Sequence, residues 1–352
     1  MSSFYKLAIK RIKKETDKAI VLTFNIPNNL KDLFIFKAGQ YITLKTIING
    51  SEIRRDYSLC ASPKSNELTV AVKEVEGGIF SVYANNSLKE GDILEVAPPN
   101  GRFIFTPNDN KTKHIALFAA GSGITPILSI IKCALEEEVN SQVVLVYGNK
   151  STQGTMFLNT LLELQHQYSN RFSIQFVFSK TNENDAIFGR IEKSTVNLVL
   201  KNKYKHISMD DFYLCGPEAM IHTVKDVLVE NGIDENRIHY ELFKASKPDA
   251  VTPVDIPSNG KTNITVVVDD EETTFYMPQT QTVLEAALDK DLDVPYSCQG
   301  GICSSCLARI TEGEAKMRQN NILTDNEVAE GLILTCQAQP ISTTLTVDYD
   351  DI

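Results

Sequence analysis

Four cysteines, Cys298, Cys303, Cys306 and Cys336, carry the most specific chemistry in this 352-residue chain. They read C-x4-C-x2-C, then 29 residues, then C. Thiolates are soft ligands, and this spacing suits a [2Fe–2S] cluster. Three of the four lie on one tight loop with Gly300 and Gly301, where side chains would crowd the sulfurs. The fourth comes from Leu334-Thr335-Cys336-Gln337, so a folded domain must bring it in. Structural zinc also takes four cysteines, usually as two short knuckles. Here the last cysteine stands alone. Disulfides fit less well: seven cysteines is an odd number, and the chain opens Met-Ser-Ser-Phe-Tyr-Lys without an apolar signal stretch. Free thiols suit a reducing cytoplasm.

A cluster of this kind moves one electron at a time, so the remaining chain is expected to supply electrons. Arg54-Arg55-Asp56-Tyr57-Ser58-Leu59 reads as an extended strand, with Arg55 and Tyr57 on one face. A ring there can stack on an isoalloxazine, and a guanidinium can grip a pyrophosphate with two hydrogen bonds. Ser58 offers a hydroxyl to the flavin edge. Downstream, Gly77-Gly78-Ile79-Phe80-Ser81 forms a turn able to present amides and a hydroxyl to phosphate, and Lys73 lies on the preceding strand. A solvated strand face explains Lys73 equally well.

The segment Ala119-Ala120-Gly121-Ser122-Gly123-Ile124-Thr125-Pro126 follows a strand and opens a helix. Its glycines allow close backbone approach, and a helix N-terminus favours phosphate. It is not the G-x-G-x-x-G fingerprint of dehydrogenases. Cys215-Gly216-Pro217 ends a later strand and opens another helix. Cys60 and Cys133 have no such context and read as core. Tyr147-Gly148-Asn149-Lys150-Ser151 ends a further strand, and Lys150 with Ser151 leans toward a 2′-phosphate, hence NADPH over NADH.

These elements fall into three patterns. Residues 1–106 hold short alternating stretches such as Ala19–Phe24, Tyr41–Leu44 and Leu68–Val72, broken by Gly, Pro and Asn, which predicts an antiparallel β-barrel or sandwich, and the barrel is the expected form. Residues 107–246 alternate apolar strands (His114–Ala120, Gln142–Tyr147, Phe172–Phe178, Asp211–Cys215) with amphipathic helices (Pro126–Glu137, Met156–Gln167, Pro217–Asn231), which predicts an α/β domain on a parallel sheet. Residues 247–262 carry three prolines and little periodicity and read as a semi-extended linker. Residues 263–352 contain the strands Ile264–Val268 and Thr273–Tyr276, a short helix Val283–Leu288 and the cysteine loop.

The bulk numbers agree with a multidomain globular chain: 42% hydrophobic and 23% charged residues are ordinary values. No apolar run approaches the roughly 20 residues of a membrane helix, so the expectation is a soluble, cytoplasmic protein with no membrane association. The net charge of −10 is uneven. From Asn263 onward there are 16 acidic and 4 basic side chains, against 29 and 31 before it. An acidic face can steer encounter with a basic partner, or simply keep the domain soluble. There is no basic patch to neutralise phosphates, which argues against nucleic acid as a partner.

Taken together, R-x-Y-S at Arg55–Ser58, then G-x-x-S at Gly78–Ser81, resembles the flavin-binding signature of the ferredoxin–NADP reductase superfamily. The Gly121 turn, Cys215-Gly216-Pro217 and the ending Pro99-Asn100-Gly101-Arg102-Phe103 also fit it. The resemblance implies that Arg55 holds phosphate, Tyr57 stacks on the ring, Ser58 approaches flavin N5, and Gly78 and Ser81 bind pyrophosphate. It places Gly121, Thr125, Pro126, Lys150, Cys215, Gly216 and Pro217 at the nicotinamide nucleotide, with Cys215 near the ring where hydride leaves. Glu241 and Phe243 approach the flavin. Ser58, Cys215 and Glu241 are thus the expected catalytic residues, and FAD is the expected flavin, although some reductases with this domain order use FMN.

The tail resembles a plant-type ferredoxin of α+β (β-grasp) fold. Its Cys298–Cys306 loop, Glu312-Gly313-Glu314, Met317, Glu327-Val328, Gly331 and Leu334–Gln337 look like those of phenylacetyl-CoA epoxidase reductases. Gln299 departs from photosynthetic ferredoxins, which tend to carry Arg there. The resemblance implies an NAD(P)H-dependent oxidoreductase of phenylacetate catabolism. It would pass electrons through FAD and the cluster to an oxygenase component, a multisubunit diiron enzyme. The alternatives are a reductase for a ring-hydroxylating, steroid or alkane oxygenase, and a redox-responsive binding protein.

Overall fold

The computed structural model describes residues 4–108, 112–243 and 260–352. They form two compact units, one running from Tyr5 to Phe243 and the other containing the cysteine-bearing tail.

The first half of the larger unit is the expected antiparallel barrel. Its elements are β1 (Tyr5–Thr16), β2 (Ala19–Asn25), β3 (Tyr41–Ile48), β4 (Ser51–Ser58), β5 (Leu68–Lys73), the helix α1 (Ile79–Asn86) and β6 (Ile93–Val96). The strands lie in the order β4-β3-β6-β1-β2-β5. The two outer strands approach each other through a single bridge from Leu59 to Val70, which brings the sheet round toward a barrel. Leu7, Leu22, Ile42, Leu44, Val70 and Phe80 fill the interior.

The second half is the expected parallel sheet with helices: β7 (Ile115–Ala120), α2 (Ile124–Glu137), β8 (Val143–Asn149), α3 (Leu158–Gln167), β9 (Phe172–Phe178), β10 (Ile187–Phe188), α4 (Lys193–Asn197), β11 (Asp211–Gly216), α5 (Glu218–Glu230) and β12 (Ile238–Leu242). The order is β10-β9-β8-β7-β11-β12, with every pairing parallel. After β7 the chain builds toward β10; at β11 it returns to the other flank of β7. A crevice opens where these connections diverge, at the C-terminal ends of β7 and β11, and that is where open α/β sheets bind ligands. Barrel residues Ala38, Cys60, Phe103 and Phe105 share one core with Ile127, Cys133, Tyr147 and Cys215 of this half. Cys60 and Cys133 are therefore core thiols.

Three boundaries differ from the sequence reading. Helix α2 begins at Ile124, two residues before Pro126. Helix α3 begins after Phe157, whose backbone is left-handed at φ 59° and whose amide donates to the Glu15 carboxylate on β1 at 2.8 Å. The Gly77–Ser81 turn is continued by α1, with Gly78 as its N-cap.

The smaller unit contains β13 (Lys261–Val268), β14 (Glu271–Pro278), α6 (Val283–Leu288), β15 (Leu307–Met317), α7 (Asp325–Ala329), β16 (Leu332–Leu334) and β17 (Ala338–Asp348). The sheet order is β14-β13-β17-β15-β16, with β13 and β17 parallel and the other pairs antiparallel. Helix α6 packs Val283, Leu284, Ala286 and Ala287 on Ile264, Val266, Leu345 and Val347. Its start is fixed by a capping box between Thr282 and Glu285. This is a sheet wrapped around one helix, as expected for a β-grasp domain. Most of the expected linker, 247–259, lies outside the described residues, and its last two residues, Lys261 and Thr262, open β13.

Candidate functional site

Strand β4 ends in the first cluster of chemistry-bearing residues. Arg55 is exposed, Tyr57 half-buried and Ser58 buried, in register with Leu44, Ile42 and Tyr41 of β3. The Tyr57 ring packs on Phe80 with centroids 5.4 Å apart, and burial raises its phenol so that it stays protonated. Phe80 belongs to α1, so the helix that supports Tyr57 also carries the glycine turn. A side chain at Gly78 would meet the Ser81 hydroxyl and the Val75 carbonyl, at 2.5 and 3.0 Å. Ser81 accepts from the Val75 amide at 3.1 Å and locks the turn. The hydroxyl thus has a structural partner and keeps its proton to donate. The first-turn amides of α1 have no partner within the helix, which favours an anion at its N-terminus.

The second cluster lies at the crevice between β7 and β11. Gly121 is half-buried with φ 56°, a conformation that suits glycine. Gly123 packs so closely on β11 that a Cβ would stand 2.1 Å from the Cys215 carbonyl oxygen. Gly216 is crowded in the same way by Met220 and Ala120. Thr125 and Pro126 are buried in the first turn of α2, where the Thr125 hydroxyl donates to the Ser122 carbonyl at 3.0 Å. Sequence alone does not separate these packing residues from the more accessible Gly121 and Pro217.

Lys73 at the end of β5 and exposed Lys150 after β8 repel each other; burial first, then Lys150, lowers the Lys73 ammonium. A side chain at Gly121 would lie 3.8 Å from the Lys73 ammonium. Two like charges held beside a glycine turn at a helix N-terminus favour a polyanion.

Both clusters meet at Glu241. This residue lies on β12 in register with Cys215, and its carboxylate accepts the Ser58 hydroxyl at 3.2 Å across 183 residues of sequence. Burial, opposed by the Ser58 hydrogen bond and helped to a smaller degree by the Asp56 charge, pushes the Glu241 carboxyl up to about 8. Cys215 is fully enclosed, and burial together with Glu241 raises its thiol, so it stays neutral. Phe243 is partly exposed at the end of the segment. The structure thus brings Ser58, Cys215 and Glu241 to one place.

The carboxyl leads to an expected pH dependence. The unfolded chain releases this proton near the ordinary 4.5 and the folded chain near 8, so the folded state holds the extra proton between those values. Raising the pH through that window removes stability. The melting temperature of Glu241→Gln should match the native protein near pH 4.5, exceed it increasingly up to about pH 8, and keep a constant lead above that. A constant difference from pH 4.5 to about 8 would refute the assignment.

In the smaller unit the cysteine loop brings the four thiols together in two pairs. Cys298 contacts Cys303, and Cys306 contacts Cys336. The Cys298 thiol is pushed down to about 6, first by Cys303 and then, against the cost of burial, by the Gly300, Ile302 and Cys303 amides. The Gly300 amide lies 3.3 Å from its sulfur. Among the described residues no three His, Cys, Asp or Glu side chains converge on a single ion. Four thiols with amides directed at sulfur fit the 2Fe–2S cluster that the cysteine spacing suggests.

Gly301 takes φ 69° and packs against Gln337, so it carries the backbone requirement, together with left-handed Gln299 at φ 51°. Gly300 meets only the Cys298 carbonyl at 3.7 Å, an ordinary contact. Gln337, to which sequence reasoning gives no role of its own, donates to the Gln299 carbonyl at 3.1 Å and ties the loop to the Cys336 segment. Its place beside Cys336 is the one signal of this in the sequence.

Comparison with known proteins matches three family models. Residues 6–105 match the oxidoreductase FAD-binding domain, residues 117–226 the oxidoreductase NAD-binding domain, and residues 266–340 the 2Fe-2S iron-sulfur cluster binding domain. The chain is 35% identical to a component of the 1,2-phenylacetyl-CoA epoxidase of Escherichia coli (strain K12), over 99% of both chains. It is 31% identical to the ferredoxin reductase component of 3-ketosteroid-9-alpha-monooxygenase from Mycolicibacterium smegmatis (strain ATCC 700084 / mc(2)155), over 99% of this chain and 98% of that one. Among solved structures, phthalate dioxygenase reductase superposes with a TM-score of 0.61 at 27% identity, over 98% of both chains.

Proposed function

The chain belongs to the family of FAD- and NAD-binding oxidoreductases with a 2Fe-2S domain that serve as reductase components of oxygenases, and from this membership we propose that its partner is phenylacetyl-CoA epoxidase, a multisubunit diiron enzyme. The cofactors are FAD, a [2Fe–2S] cluster and a pyridine nucleotide. When bound, the flavin accepts the two electrons the nucleotide gives up together, and the cluster passes them on singly.

The observation that carries the partner is the 35% identity across 99% of both chains to the epoxidase component. We assign the residues as follows. Arg55 and the α1 N-terminus with Gly78 and Ser81 hold the flavin phosphates, and Tyr57 covers the ring. Ser58 and Glu241 set the polar edge of the crevice, with neutral Cys215 packed beside them. Gly121, Gly216 and Pro217 leave room for the nucleotide, and Thr125 and Pro126 hold the Gly121 turn in place. Lys73 and Lys150 neutralise the nucleotide phosphates, which favours NADPH over NADH. Cys298, Cys303, Cys306 and Cys336 ligate the cluster.

We place the protein in the cytoplasm, which its seven unbridged cysteines support. Among the described residues no helix is long and apolar enough to cross a membrane.

The test is reconstitution with purified oxygenase components and NADPH or NADH. The epoxidase should turn over phenylacetyl-CoA with this reductase, faster than a steroid or ring-hydroxylating oxygenase turns over its own substrate, and at lower NADPH than NADH. Turnover only with another oxygenase would remove the partner assignment.

A further inference from the structure

Helix α3 is entered through a backbone conformation that its own sequence does not favour. Phe157, its N-cap, is left-handed at φ 59° and ψ 22°. A bulky side chain rarely adopts that region and persists there only where its surroundings hold it. Three contacts do so. Phe157 is buried in the core shared by the barrel and the parallel sheet. Its amide donates to the Glu15 carboxylate at 2.8 Å, across 142 residues of sequence. The preceding carbonyl, of Met156, lies 3.4 Å from the Tyr147 hydroxyl, which also donates to the Gly121 carbonyl at 3.0 Å. Glu15 belongs to β1 of the barrel, its side chain is only 9% exposed, and its second oxygen lies 3.6 Å from the Lys13 ammonium.

The chain between Phe157 and Lys150 transmits this anchor. Thr152–Gly154 form one tight 3-10 turn. The Thr155 amide donates to the Thr152 carbonyl at 3.1 Å, and the Thr155 hydroxyl donates to the Ser151 carbonyl at 2.9 Å. Met156 is fully enclosed. A displacement of Phe157 is therefore carried to Ser151 and Lys150. Through Tyr147 the same loop is tied to the Gly121 turn.

We propose that Glu15 is a positioning residue for the nucleotide: from the flavin-binding half it fixes the loop that presents Lys150 and Ser151. The proposal rests on the assignment of Lys150 to the nucleotide phosphates. Glu15 itself touches no cofactor atom. It supplies the acceptor that keeps Phe157 left-handed, and so sets where the loop meets its anion. An interaction of this kind acts on nucleotide binding and not on the electron-transfer step.

The experiment is stopped-flow flavin reduction of full-length, cofactor-loaded protein over a range of NADPH and NADH concentrations, which gives the half-saturating concentration and the limiting rate separately. Glu15→Ala should raise the half-saturating NADPH concentration by about tenfold, the scale of one lost hydrogen bond to a charged group, with the limiting rate retained. The rise should be smaller with NADH, which lacks the 2′-phosphate. Glu15→Gln keeps an acceptor oxygen in place and should restore native affinity. Ser129→Ala is the control, because the Ser129 hydroxyl donates to the Ala61 carbonyl at 2.7 Å between the same two halves without touching the loop. Its affinity should be native even where it melts lower.

Unchanged affinity in Glu15→Ala would overturn the proposal, as would a Gln variant as weak as the Ala variant, or an equal loss in Ser129→Ala. Lys150→Ala separates this from the assignment beneath it. Native affinity in Lys150→Ala overturns the assignment and the proposal together; weakened affinity there with native affinity in Glu15→Ala overturns the proposal alone. An equal rise for both nucleotides in Glu15→Ala upholds the positioning role and overturns the 2′-phosphate preference. Should Glu15→Ala fail to fold, Glu15→Asp decides. It keeps the carboxylate but draws it back by one methylene, so half-saturation should rise at a native limiting rate; an unmoved value overturns the proposal.

Discussion

Cys306→Ala should abolish electron delivery beyond the flavin while leaving the flavin itself reducible. Cys306 is the most buried of the four thiols, 1% exposed, and its sulfur contacts Cys336. The variant leaves one member of that pair without its counterpart, so the iron that the pair would hold loses a thiolate ligand. Altering a hydrogen-bonding neighbour of a ligand typically costs 10–100-fold in metal affinity or activity. Loss of a ligand should cost more, so cluster-dependent reduction of cytochrome c should fall by at least about a hundredfold.

The flavin- and nucleotide-binding halves form a separate compact unit, Tyr5–Phe243, and contribute none of the four cysteines. NAD(P)H-driven ferricyanide reduction, which the flavin can support directly, should therefore persist. The measurements are iron and sulfide content, visible absorbance and the two acceptor rates. A variant that keeps full iron and sulfide, or loses both acceptor activities together, would refute the ligand assignment.

The second large effect is expected at Gly123, which joins α2 to the end of β11. Its φ of −59° is ordinary, so the constraint is contact alone. An added Cβ would stand 2.1 Å from the Cys215 carbonyl oxygen, 2.4 Å from its carbon and 2.8 Å from the Gly216 nitrogen. All three are backbone atoms and cannot swing aside as a flexible side chain would. Gly123→Ala must push α2 and β11 apart, at a cost of about 3 kcal/mol.

The displacement falls on the crevice that holds Cys215 and Gly216, beside Glu241 and Ser58. Misplacing reacting groups by about 1 Å can cost about a hundredfold. NAD(P)H-dependent flavin reduction should fall by about that factor, with flavin still bound in the barrel. Gly154→Ala is the control: its added Cβ would meet only the Ser151 hydroxyl at 3.8 Å. Stopped-flow flavin reduction and thermal melting of both variants check this. Equal rates for Gly123→Ala and the native protein would show that this joint does not position the crevice.

Much of this protein was legible in the sequence because the signals are local. The C-x4-C-x2-C spacing, the Arg55–Ser58 strand, the glycine turn after β7 and the alternation of strands with helices each lie within a few residues or one repeat of periodicity. They depend on backbone geometry and side-chain type alone. The order of barrel, parallel sheet and cysteine-bearing tail follows from them.

What the tertiary structure decided involves residues far apart in the chain. Ser58 reaches Glu241 across 183 residues, because the end of β4 and the end of β12 converge on one crevice. Gly123 must be glycine because of Cys215, which arrives on another strand. Helix α3 starts after Phe157 because Glu15, from the barrel, holds the Phe157 amide. The pairing of Cys298 with Cys303 and of Cys306 with Cys336 depends on how the loop closes over the sheet. Sequence spacing fixes which groups can meet locally. Packing, desolvation and backbone contact fix which distant groups do meet, and with what charge.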